Sequence, residues 1–550
     1  MMKQLSSARI QLLIAAAALL LFVPGLGAVH LFDWDEINFA EIAREMVVSG
    51  DRLQPRMHFE PFHEKPPLFM WMQAAAMEVF GIGEFASRLP NAICGVFTLL
   101  VLFRIGEQLR GRIFGAWWAF AYLGSILPHL YFRSGIIDPW FNLFIFLGLH
   151  AIITLVQRAP ERAPGTLNAR SDRYAWLAGL FLGLAVLTKG PVGVLVPVLV
   201  MGAYWVRGGF KPYLLWRRLA IIALAATMTV ATWAVVDFIR NGPQFMVAFF
   251  WRQVAMLTTE DAGHGGFIGY HFVVLLIGCF PASVFALQEL ISPTRTTDAA
   301  ENDHRRWMVI LFWVVLMLFS IVKTKIVHYS SLCYFPLTYL AALQLERIWK
   351  KKASFGWSRF ALGIIGSLIA TVVILLPFAA MRLDALRPLF AQDPFALANL
   401  DADVRWSGLE PTPGVLLLAA LITAHFLHAR AHYRAAMLSV FGAGTLFVTG
   451  TLFFFINHIE GYSQRAAVEF FEAHAGERCW LLTKGYKSYV PEFYGRVQQV
   501  QPAEQQLLHG PIDRPVYLAC KITSEDEVKD LTAFQELYRK NGFIFFVRTQ

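Results

Sequence analysis

The sequence predicts a multi-pass α-helical membrane protein that ends in a small soluble α/β domain. Of the 550 residues, 56% are hydrophobic and only 16% are charged, whereas soluble proteins carry about 25% charged residues. Apolar runs of roughly 17–23 residues recur along the chain and match the thickness of a bilayer. Short loops rich in Lys and Arg separate the runs, so the net charge of +9 indicates membrane topology and not a nucleic-acid partner. The same pattern excludes one large soluble enzyme.

The apolar runs predict about thirteen transmembrane helices. They lie near residues 10–30, 89–109, 113–132, 139–157, 175–188, 191–206, 218–239, 267–288, 307–322, 329–346, 358–380, 413–428 and 434–456. Loops after alternate runs carry clusters of Lys and Arg, and the positive-inside rule places these loops and the N terminus in the cytoplasm. The first run follows Lys3 and Arg9 as a signal peptide would. Because it is long and no convincing cleavage site follows, we expect it to be retained as a span.

This topology divides the chain into a transmembrane domain, residues 1–456, and an outer α/β domain, residues 457–550. The transmembrane domain has two long outer loops, residues 31–88 and 240–266. The first loop is expected to carry two helices at the membrane surface, near residues 36–48 and 66–80. The outer domain is expected to contain a helix near 466–475, strands at 479–482 and 516–519, a helix near 527–540 and a strand at 542–547.

The cysteines and histidines do not form a recognisable metal motif. The five cysteines lack a CxxC pair or a Cys/His cluster, so no structural zinc site is predicted. Cys479 and Cys520 share the outer domain, where a disulfide and two buried thiols are both open interpretations, the thiols being favoured. His63, Glu64 and His264 fall on the outer side but lack a diagnostic ligand spacing. No cofactor is required, and a divalent metal is kept as an alternative.

An acidic cluster directly follows the first span. Asp33, Asp35 and Glu36 flank a single tryptophan, and carboxylates this close repel each other unless water or cations surround them. The simplest interpretation is a solvated helix start in which Asp35 caps the helix that begins near Glu36. A functional interpretation gains weight because further charged residues are expected near the same membrane boundary. These are Glu64, Lys65, Arg88, Asp138, Lys189, Lys323 and Lys325.

Lys189 interrupts two apolar runs on the outer side, within the segment Leu187-Thr188-Lys189-Gly190-Pro191. A lysine there runs against the topology bias, so either its ammonium group snorkels to the interface or a ligand requires it. Several cations at a lipid boundary suit a phosphate group whose lipid tail stays in the bilayer. Carboxylates and cations together therefore indicate a transfer site for a lipid-linked substrate.

Six short motifs give the chain a resemblance to a known family. In order they are Asp35-Glu36 with Ala40-Glu41-Ile42, Arg44-Glu45-Met46 and Ser49-Gly50-Asp51; Glu64-Lys65-Pro66-Pro67-Leu68 with Trp71; Arg88-Leu89-Pro90; Asp138-Pro139; Leu187 to Pro191; and Phe319-Ser320 through Lys325 and Tyr329. In this order and topology they resemble the bacterial aminoarabinose transferases of lipid A. More widely, they resemble the polyprenyl-phosphate-sugar-dependent glycosyltransferases related to protein O-mannosyltransferases. The resemblance spans most of the membrane part.

The resemblance implies the multi-span GT-C fold and a sugar donor carried on undecaprenyl phosphate. It implies inverting transfer to lipid A or another cell-envelope acceptor, at the periplasmic face of the bacterial inner membrane, with the outer domain in the periplasm. The implied catalytic residues are Asp35, Glu36 and Asp138. The implied donor-phosphate ligands are Lys65, Arg88, Lys189, Lys323 and Lys325. The implied acceptor or positioning residues are Glu64, Asn38 and Tyr329.

One departure from the family limits what the resemblance says about substrates. After Asp35-Glu36 the aminoarabinose enzymes typically have Thr-Arg-Tyr, whereas this chain has Ile37-Asn38-Phe39. A cation and a phenol are thereby lost near the reacting centre, and Arg and Asn recognise different partners. The sugar and the acceptor are therefore not specified. A protein O-glycosyltransferase of the same superfamily and a lipid or glycan transporter are the alternatives.

Overall fold

A computed structural model describes residues 6–158, 169–258, 265–293 and 296–549. The first part contains α1 (Ser7–Phe22), α2 (Asp35–Ser49), α3 (Leu68–Phe80), α4 (Glu84–Arg110), α5 (Arg112–Leu123), α6 (Ile126–Leu130) and α7 (Asp138–Gln157), with a hairpin of β1 (Arg56–Met57) and β2 (Glu60–Pro61) between α2 and α3. The middle part contains α8 (Ala169–Lys189), α9 (Val192–Arg207), α10 (Trp216–Asn241), α11 (Gln244–Thr258), α12 (Tyr270–Gly278), α13 (Ala282–Ile291), α14 (Ala299–Ile321) and α15 (Tyr334–Trp349). Next come α16 (Ser358–Ala380), α17 (Leu383–Leu386), α18 (Pro394–Asn399), α19 (Thr412–Ala429) and α20 (Tyr433–Ser463). Short 3-10 turns occupy Tyr131–Arg133, Val327–Cys333, Arg387–Phe390 and Ile522–Ser524.

Seven helices of the described residues are long and apolar enough to cross a membrane, or up to nine if each of two bent pairs is one span. The bent pairs are α5 with the segment Ile126–Arg133, at 80°, and α12 with α13, at 117°. Each of the thirteen predicted runs overlaps at least one observed helix, and the runs near 113–132 and 267–288 each overlap a bent pair. The first run is shorter than predicted, because α1 ends at Phe22 and turns follow it.

Close approach of small residues brings α4 and α5 together as an antiparallel pair. A methyl group added at Gly106 would lie 2.6 Å from the Cα atom of Gly115, and one added at Gly115 would lie 2.3 Å from the carbonyl oxygen of Phe103. Only glycine allows the two backbones to approach this closely, as is common where helices pack in membranes. This pair forms part of the main apolar core, which includes Trp118 and Tyr339.

The first outer loop carries the two expected helices, α2 and α3, which pack against each other. The expected capping role of Asp35 is wrong, because Asp35 is the first residue of α2 and the N-cap position is Trp34, whose side chain makes no capping hydrogen bond. The Asp35 carboxylate therefore does not cap the first backbone amides of α2, and the Asp35 side chain is 49% exposed.

Residues after α20 form a four-stranded sheet with short helices. Its elements are α21 (Arg465–Ala473), β3 (Trp480–Lys484), α22 (Val490–Tyr494), α23 (Glu504–His509), β4 (Val516–Lys521), α24 (Asp526–Lys529), β5 (Gln535–Lys540) and β6 (Phe543–Arg548). The strand order is β3-β4-β6-β5, with β3 parallel to β4 and the other two pairs antiparallel. Residues 464–549 are called the sheet unit below. Cys479 and Cys520 within it are separate thiols.

Two expectations for this region need correction. The predicted helix near residues 527–540 is wrong: only Asp526–Lys529 are helical, and Gln535–Lys540 form the edge strand β5. Glu, Leu and Lys favour helices locally, but backbone pairing with β6 overrides that weak preference. In addition, α20 continues to Ser463, past the boundary predicted at residue 457.

The sheet unit packs directly on the first outer loop. A second apolar core joins α2 and α3 with α21, α22 and the inner face of the sheet, and it includes Phe39, Met70, Phe471 and Phe493. Polar contacts reinforce it: the backbone amide of Leu31 donates to the Tyr494 hydroxyl at 2.7 Å. The sheet unit is thereby held in place beside the segment that carries Asp35.

Candidate active site

A cavity of about 340 Å³ lies where the first outer loop meets the ends of several helices. Its polar wall includes Lys65, Asp138, Lys189 and Tyr329, and its other walls are mostly aliphatic and aromatic. Asp138 is the first residue of α7, Lys189 is the last residue of α8, and Tyr329 lies in the 3-10 turn that precedes α15. Residues from distant parts of the sequence thus meet in one pocket that is polar at one side and apolar elsewhere.

Asp138 and Lys189 form an ion pair in this cavity. The Lys189 Nζ atom lies 2.7 Å from Asp138 Oδ1, and the Asp138 side chain is only 4% exposed. The other carboxylate oxygen, Oδ2, is buried and has no hydrogen-bond partner among the described residues. The ammonium group also lies 5.3 Å from the centre of the Tyr329 ring and 5.7 Å from that of Phe141, positions that favour a cation.

His328 lies between the two principal carboxylates. Its Nε2 atom is 3.7 Å from Asp35 Oδ2 and 3.7 Å from Asp138 Oδ2. The sequence alone does not identify His328 as a site residue, because nothing in the local sequence links it to Asp35. The imidazole can connect an exposed carboxylate at the mouth of the cavity with a buried one inside it.

Lys65 contributes a second cation to the cavity wall. Burial in the site lowers the pKa of Lys65, and the nearby positive charge of Lys189 lowers it further. Among the described residues Lys65 has no carboxylate within 4.0 Å. Two ammonium groups in one pocket repel each other, so an anion bound between them would be stabilised.

Glu64 lies beside an arginine of α11. One of its oxygens, Oε2, lies 3.6 Å from the Arg252 guanidinium, which comes from α11. Arg252 was not predicted as a site residue, since it stands in an otherwise apolar helix about 190 residues later in the chain. The pair places a further cation beside Lys65, on the side of the loop.

Glu36 and Arg88 have structural roles, which corrects the expectation of a catalytic acid and a phosphate ligand. The guanidinium donates through Nε and Nη2 to both oxygens of Glu36, at 3.0 and 2.8 Å. Its remaining donors go to the carbonyl oxygens of Leu26, Val29 and His30. Glu36 also accepts from the backbone amides of Phe32 and Gly135. With every donor and both oxygens engaged, neither group can also bind substrate.

Lys323 and Lys325 are likewise not placed to bind a phosphate in the cavity. The Lys325 ammonium group donates to the carbonyl oxygens of Phe319, Ser320 and Val322, and so satisfies the end of α14. All three donors of a lysine are used in this way. Lys323 is exposed and is absent from the cavity wall.

The remaining predicted residues divide between the site and its surroundings. Asn38 lies one turn after Asp35 on α2, and its buried Oδ1 atom has no hydrogen-bond partner among the described residues. His63 packs its ring 5.8 Å from that of Phe245. The described residues contain no group of three or more His, Cys, Asp or Glu that could hold a metal ion. His264, the other candidate ligand, lies outside the described residues.

Comparisons with known proteins agree with this architecture. Residues 64–233 match the family model described as dolichyl-phosphate-mannose-protein mannosyltransferase. A relative named undecaprenyl phosphate-alpha-4-amino-4-deoxy-L-arabinose arabinosyl transferase, from Pectobacterium carotovorum, is 29% identical over 59% of this chain and 56% of its own length. One of the same name from Erwinia tasmaniensis is 26% identical over 76% of this chain and 72% of its own length. The chain thus spans between about half and three quarters of these relatives.

Solved structures share the fold over nearly the whole chain. ArnT from Cupriavidus metallidurans, in a crystal structure bound to undecaprenyl phosphate, superimposes with a TM-score of 0.76 at 19% identity, covering 98% of both chains. An oligosaccharyltransferase from Archaeoglobus fulgidus superimposes with a TM-score of 0.51 at 11% identity, covering 96% of this chain and 71% of that one.

The fold is therefore that of the polytopic GT-C membrane proteins, with the polar cavity beside the first outer loop. The sequence of this chain is similar to those of the arabinosyl transferases that its motifs resemble.

Proposed function

We propose that the protein is a glycosyltransferase that moves a sugar from undecaprenyl phosphate to lipid A or another cell-envelope acceptor. The observation that carries this proposal is the placement of His328 Nε2 at 3.7 Å from both Asp35 and Asp138, at a cavity that also holds Lys65 and Lys189. A carboxylate can orient or deprotonate an acceptor, and cations can stabilise a phosphate as it leaves a sugar.

In the proposed reaction an acceptor oxygen attacks the anomeric carbon of the sugar. The new carbon–oxygen bond forms as the bond to the polyprenyl phosphate breaks, and the configuration at the anomeric carbon inverts. Asp35 orients the acceptor and takes its proton where the acceptor is a hydroxyl; with a phosphate acceptor it acts by positioning. Lys65 and Lys189 stabilise the charge that develops on the leaving phosphate. None of these steps uses a metal ion.

The position of the charges favours a transferase over a transporter. Asp138 begins α7 and Lys189 ends α8, so both lie at helix ends, whereas transporters bind substrates near the middle of their spans. We propose that all thirteen apolar runs cross the bacterial inner membrane, some as short or bent helices. The N terminus is then cytoplasmic, the cavity faces the periplasm, and the sheet unit that follows α20 lies in the periplasm on the transmembrane domain.

The test is transfer by the purified protein in liposomes, with a panel of labelled undecaprenyl-phosphate sugars that includes 4-amino-4-deoxy-arabinose, and with lipid A as acceptor. We expect transfer from at least one donor, and a loss of about 10²-fold or more in Asp35→Asn. Because Asp35 is 49% exposed, this variant should unfold at the same temperature as the wild type.

The matched control is Asp384→Asn, which neutralises a carboxylate that is 99% exposed on α17 and should leave transfer unchanged. Full activity of Asp35→Asn would exclude its role. Movement of the labelled lipid across the bilayer without a glycosidic product would replace the transferase proposal by a transporter.

A further inference from the structure

The sheet unit brings a lysine to the rim of the site. Lys487 lies in the loop between β3 and α22, and its Nζ atom is 5.6 Å from the centre of the Trp34 ring and 5.3 Å from that of Tyr489. Trp34 immediately precedes Asp35, and its side chain is 42% exposed. The lysine side chain is exposed as well. An exposed cation and two aromatic rings therefore stand beside the exposed carboxylate.

This loop is held firmly against the first outer loop. The Ser488 hydroxyl donates to Asp33 Oδ2, and the Tyr489 backbone amide donates to Asp33 Oδ1 at 3.3 Å. The Asp33 backbone amide in turn donates to Gln464 at 3.0 Å. Lys487 thus sits on an anchored segment, which fixes its distance from Asp35 and makes it a defined part of the rim.

Lys487 forms no ion pair with any carboxylate of the described residues, in contrast to most charged groups around the site. Asp138 is paired with Lys189, and Glu64 lies beside Arg252. Among the described residues, Lys65 and Lys487 have no carboxylate within 4.0 Å. Lys65 lines the cavity, whereas Lys487 does not. Lys65 is therefore the cation inside the pocket, and Lys487 is the cation outside it, beside the residue that precedes Asp35.

Lys487 is charged under physiological conditions. Partial burial opposes the charge, but contacts with Tyr489 and the negative charge of Glu64 outweigh it and raise the pKa of Lys487. A charged ammonium next to the exposed Trp34 ring suits a phosphorylated sugar, because the ammonium binds phosphate oxygens and an aromatic face packs on a sugar ring.

We propose that Lys487 binds a phosphate group of the acceptor, and that the sheet unit therefore helps to select a phosphorylated glycolipid. This inference rests on the proposed transferase function and specifies its acceptor. Lys65 then binds the phosphate of the donor, and Lys487 binds the phosphate of the acceptor. Asp35 directly follows Trp34, which Lys487 contacts, and its negative charge acts on Lys65.

The test compares wild type, Lys487→Ala and Lys487→Arg with two acceptors, lipid A and chemically dephosphorylated lipid A. We expect Lys487→Ala to raise the KM for lipid A about tenfold, as the loss of one charge-assisted contact implies, with little change in kcat. Lys487→Arg should restore most of the affinity. Wild type and Lys487→Ala should bind the dephosphorylated lipid with the same affinity. Lys484→Ala is the matched control, since Lys484 belongs to the same unit but is paired with Glu504 at 2.6 Å.

A second measurement does not depend on turnover. Binding to nanodiscs containing lipid A, without any donor, is compared among wild type, Lys487→Ala and Lys484→Ala. Relative to wild type, it should weaken about tenfold in Lys487→Ala and stay unchanged in Lys484→Ala. An equal KM of Lys487→Ala and wild type for lipid A, or an equal loss with both acceptors, overturns the proposal for Lys487 alone. Normal binding differences with no transfer from any donor instead refute the transferase function and leave the phosphate site standing.

Discussion

Asp138 at the start of α7 and Lys189 at the end of α8 are joined by a contact of 2.7 Å between Oδ1 and Nζ. The two residues are 51 positions apart, and their contact closes one side of the cavity. The pair therefore has two consequences that can be measured separately: it neutralises a buried carboxylate, and it holds a cation where a phosphate is proposed to bind.

Lys189→Met should destabilise the protein by about 3–5 kcal/mol, because it leaves Asp138 charged and unpaired in a buried position. The double variant Asp138→Asn with Lys189→Met should recover much of that loss, since no buried charge remains. Neither variant should regain affinity for undecaprenyl phosphate. Unfolding in detergent and binding of undecaprenyl phosphate would be measured on the same samples. Recovery of both properties in the double variant would show that Lys189 has only a structural role.

Donor binding should depend on pH through Lys65. Burial, followed by the charge of Lys189, lowers the pKa of Lys65 below its ordinary value. Only the protonated amine attracts phosphate, so affinity should be complete at low pH and fall as pH rises through this lowered pKa. Lys65→Arg keeps its charge at all accessible pH values and should bind undecaprenyl phosphate with a flat profile between pH 7 and 10. Parallel profiles for the two proteins would assign the pH dependence to another group.

Arg88→Ala should be among the most damaging substitutions in the chain. It removes all five hydrogen bonds of the guanidinium and leaves Glu36 buried without its counterion, at a cost of about 3–5 kcal/mol. Arg52→Ala is the matched control, because its ion pair with Glu78 is exposed, 62% and 35% for the two side chains, and contributes about 0–1 kcal/mol. The free energies of unfolding would be compared. Similar losses in both variants would contradict the structural role of Arg88.

The attachment of the sheet unit should weaken as pH rises through about 6. Burial raises the pKa of Asp33 from 3.8 to about 6, against the opposing effect of the Ser488 hydroxyl. Because the folded protein binds this proton more tightly than the unfolded chain, the contribution of Asp33 to stability is complete below about pH 3.8 and is lost as pH rises through about 6.

Asp33→Asn mimics the protonated acid and should remove the pH-dependent contribution of Asp33 to stability. The difference in unfolding temperature between Asp33→Asn and wild type should therefore grow in favour of the variant between pH 4 and pH 7. A difference that does not vary with pH would mean that Asp33 titrates normally.

Sequence patterns located the fold and much of the site, and the reasons for the failures are physical. Asp35, Lys65, Asp138 and Lys189 were found because a charged residue beside an apolar run is costly and therefore conspicuous. The same signal also selected Arg88 and Lys325, since a sequence does not show that nearby carbonyl groups consume every donor. A charged residue next to lipid therefore indicates that the residue has a role. It does not indicate whether that role is structural or catalytic.

Residues missed by the sequence reach the site through tertiary contacts. Arg252 meets Glu64, and Lys487 meets Trp34, across separations of about 190 and 450 positions. No local pattern encodes such distances. The misassigned strand β5 has the same cause. Its sequence is rich in helix-forming residues, but backbone hydrogen bonds to β6 make it a strand.

The apolar core that α2 and α3 share with α21 and the sheet makes the first outer loop and the sheet unit depend on each other for burial. A chain cut after Ser463 would leave Phe39, Met70 and their neighbours facing water next to the membrane, where they would draw in lipid or other proteins. The sheet unit could therefore not be lost or exchanged in evolution without a replacement cover for that surface. Any descendant with a shorter C terminus should carry compensating polar substitutions on α2 and α3.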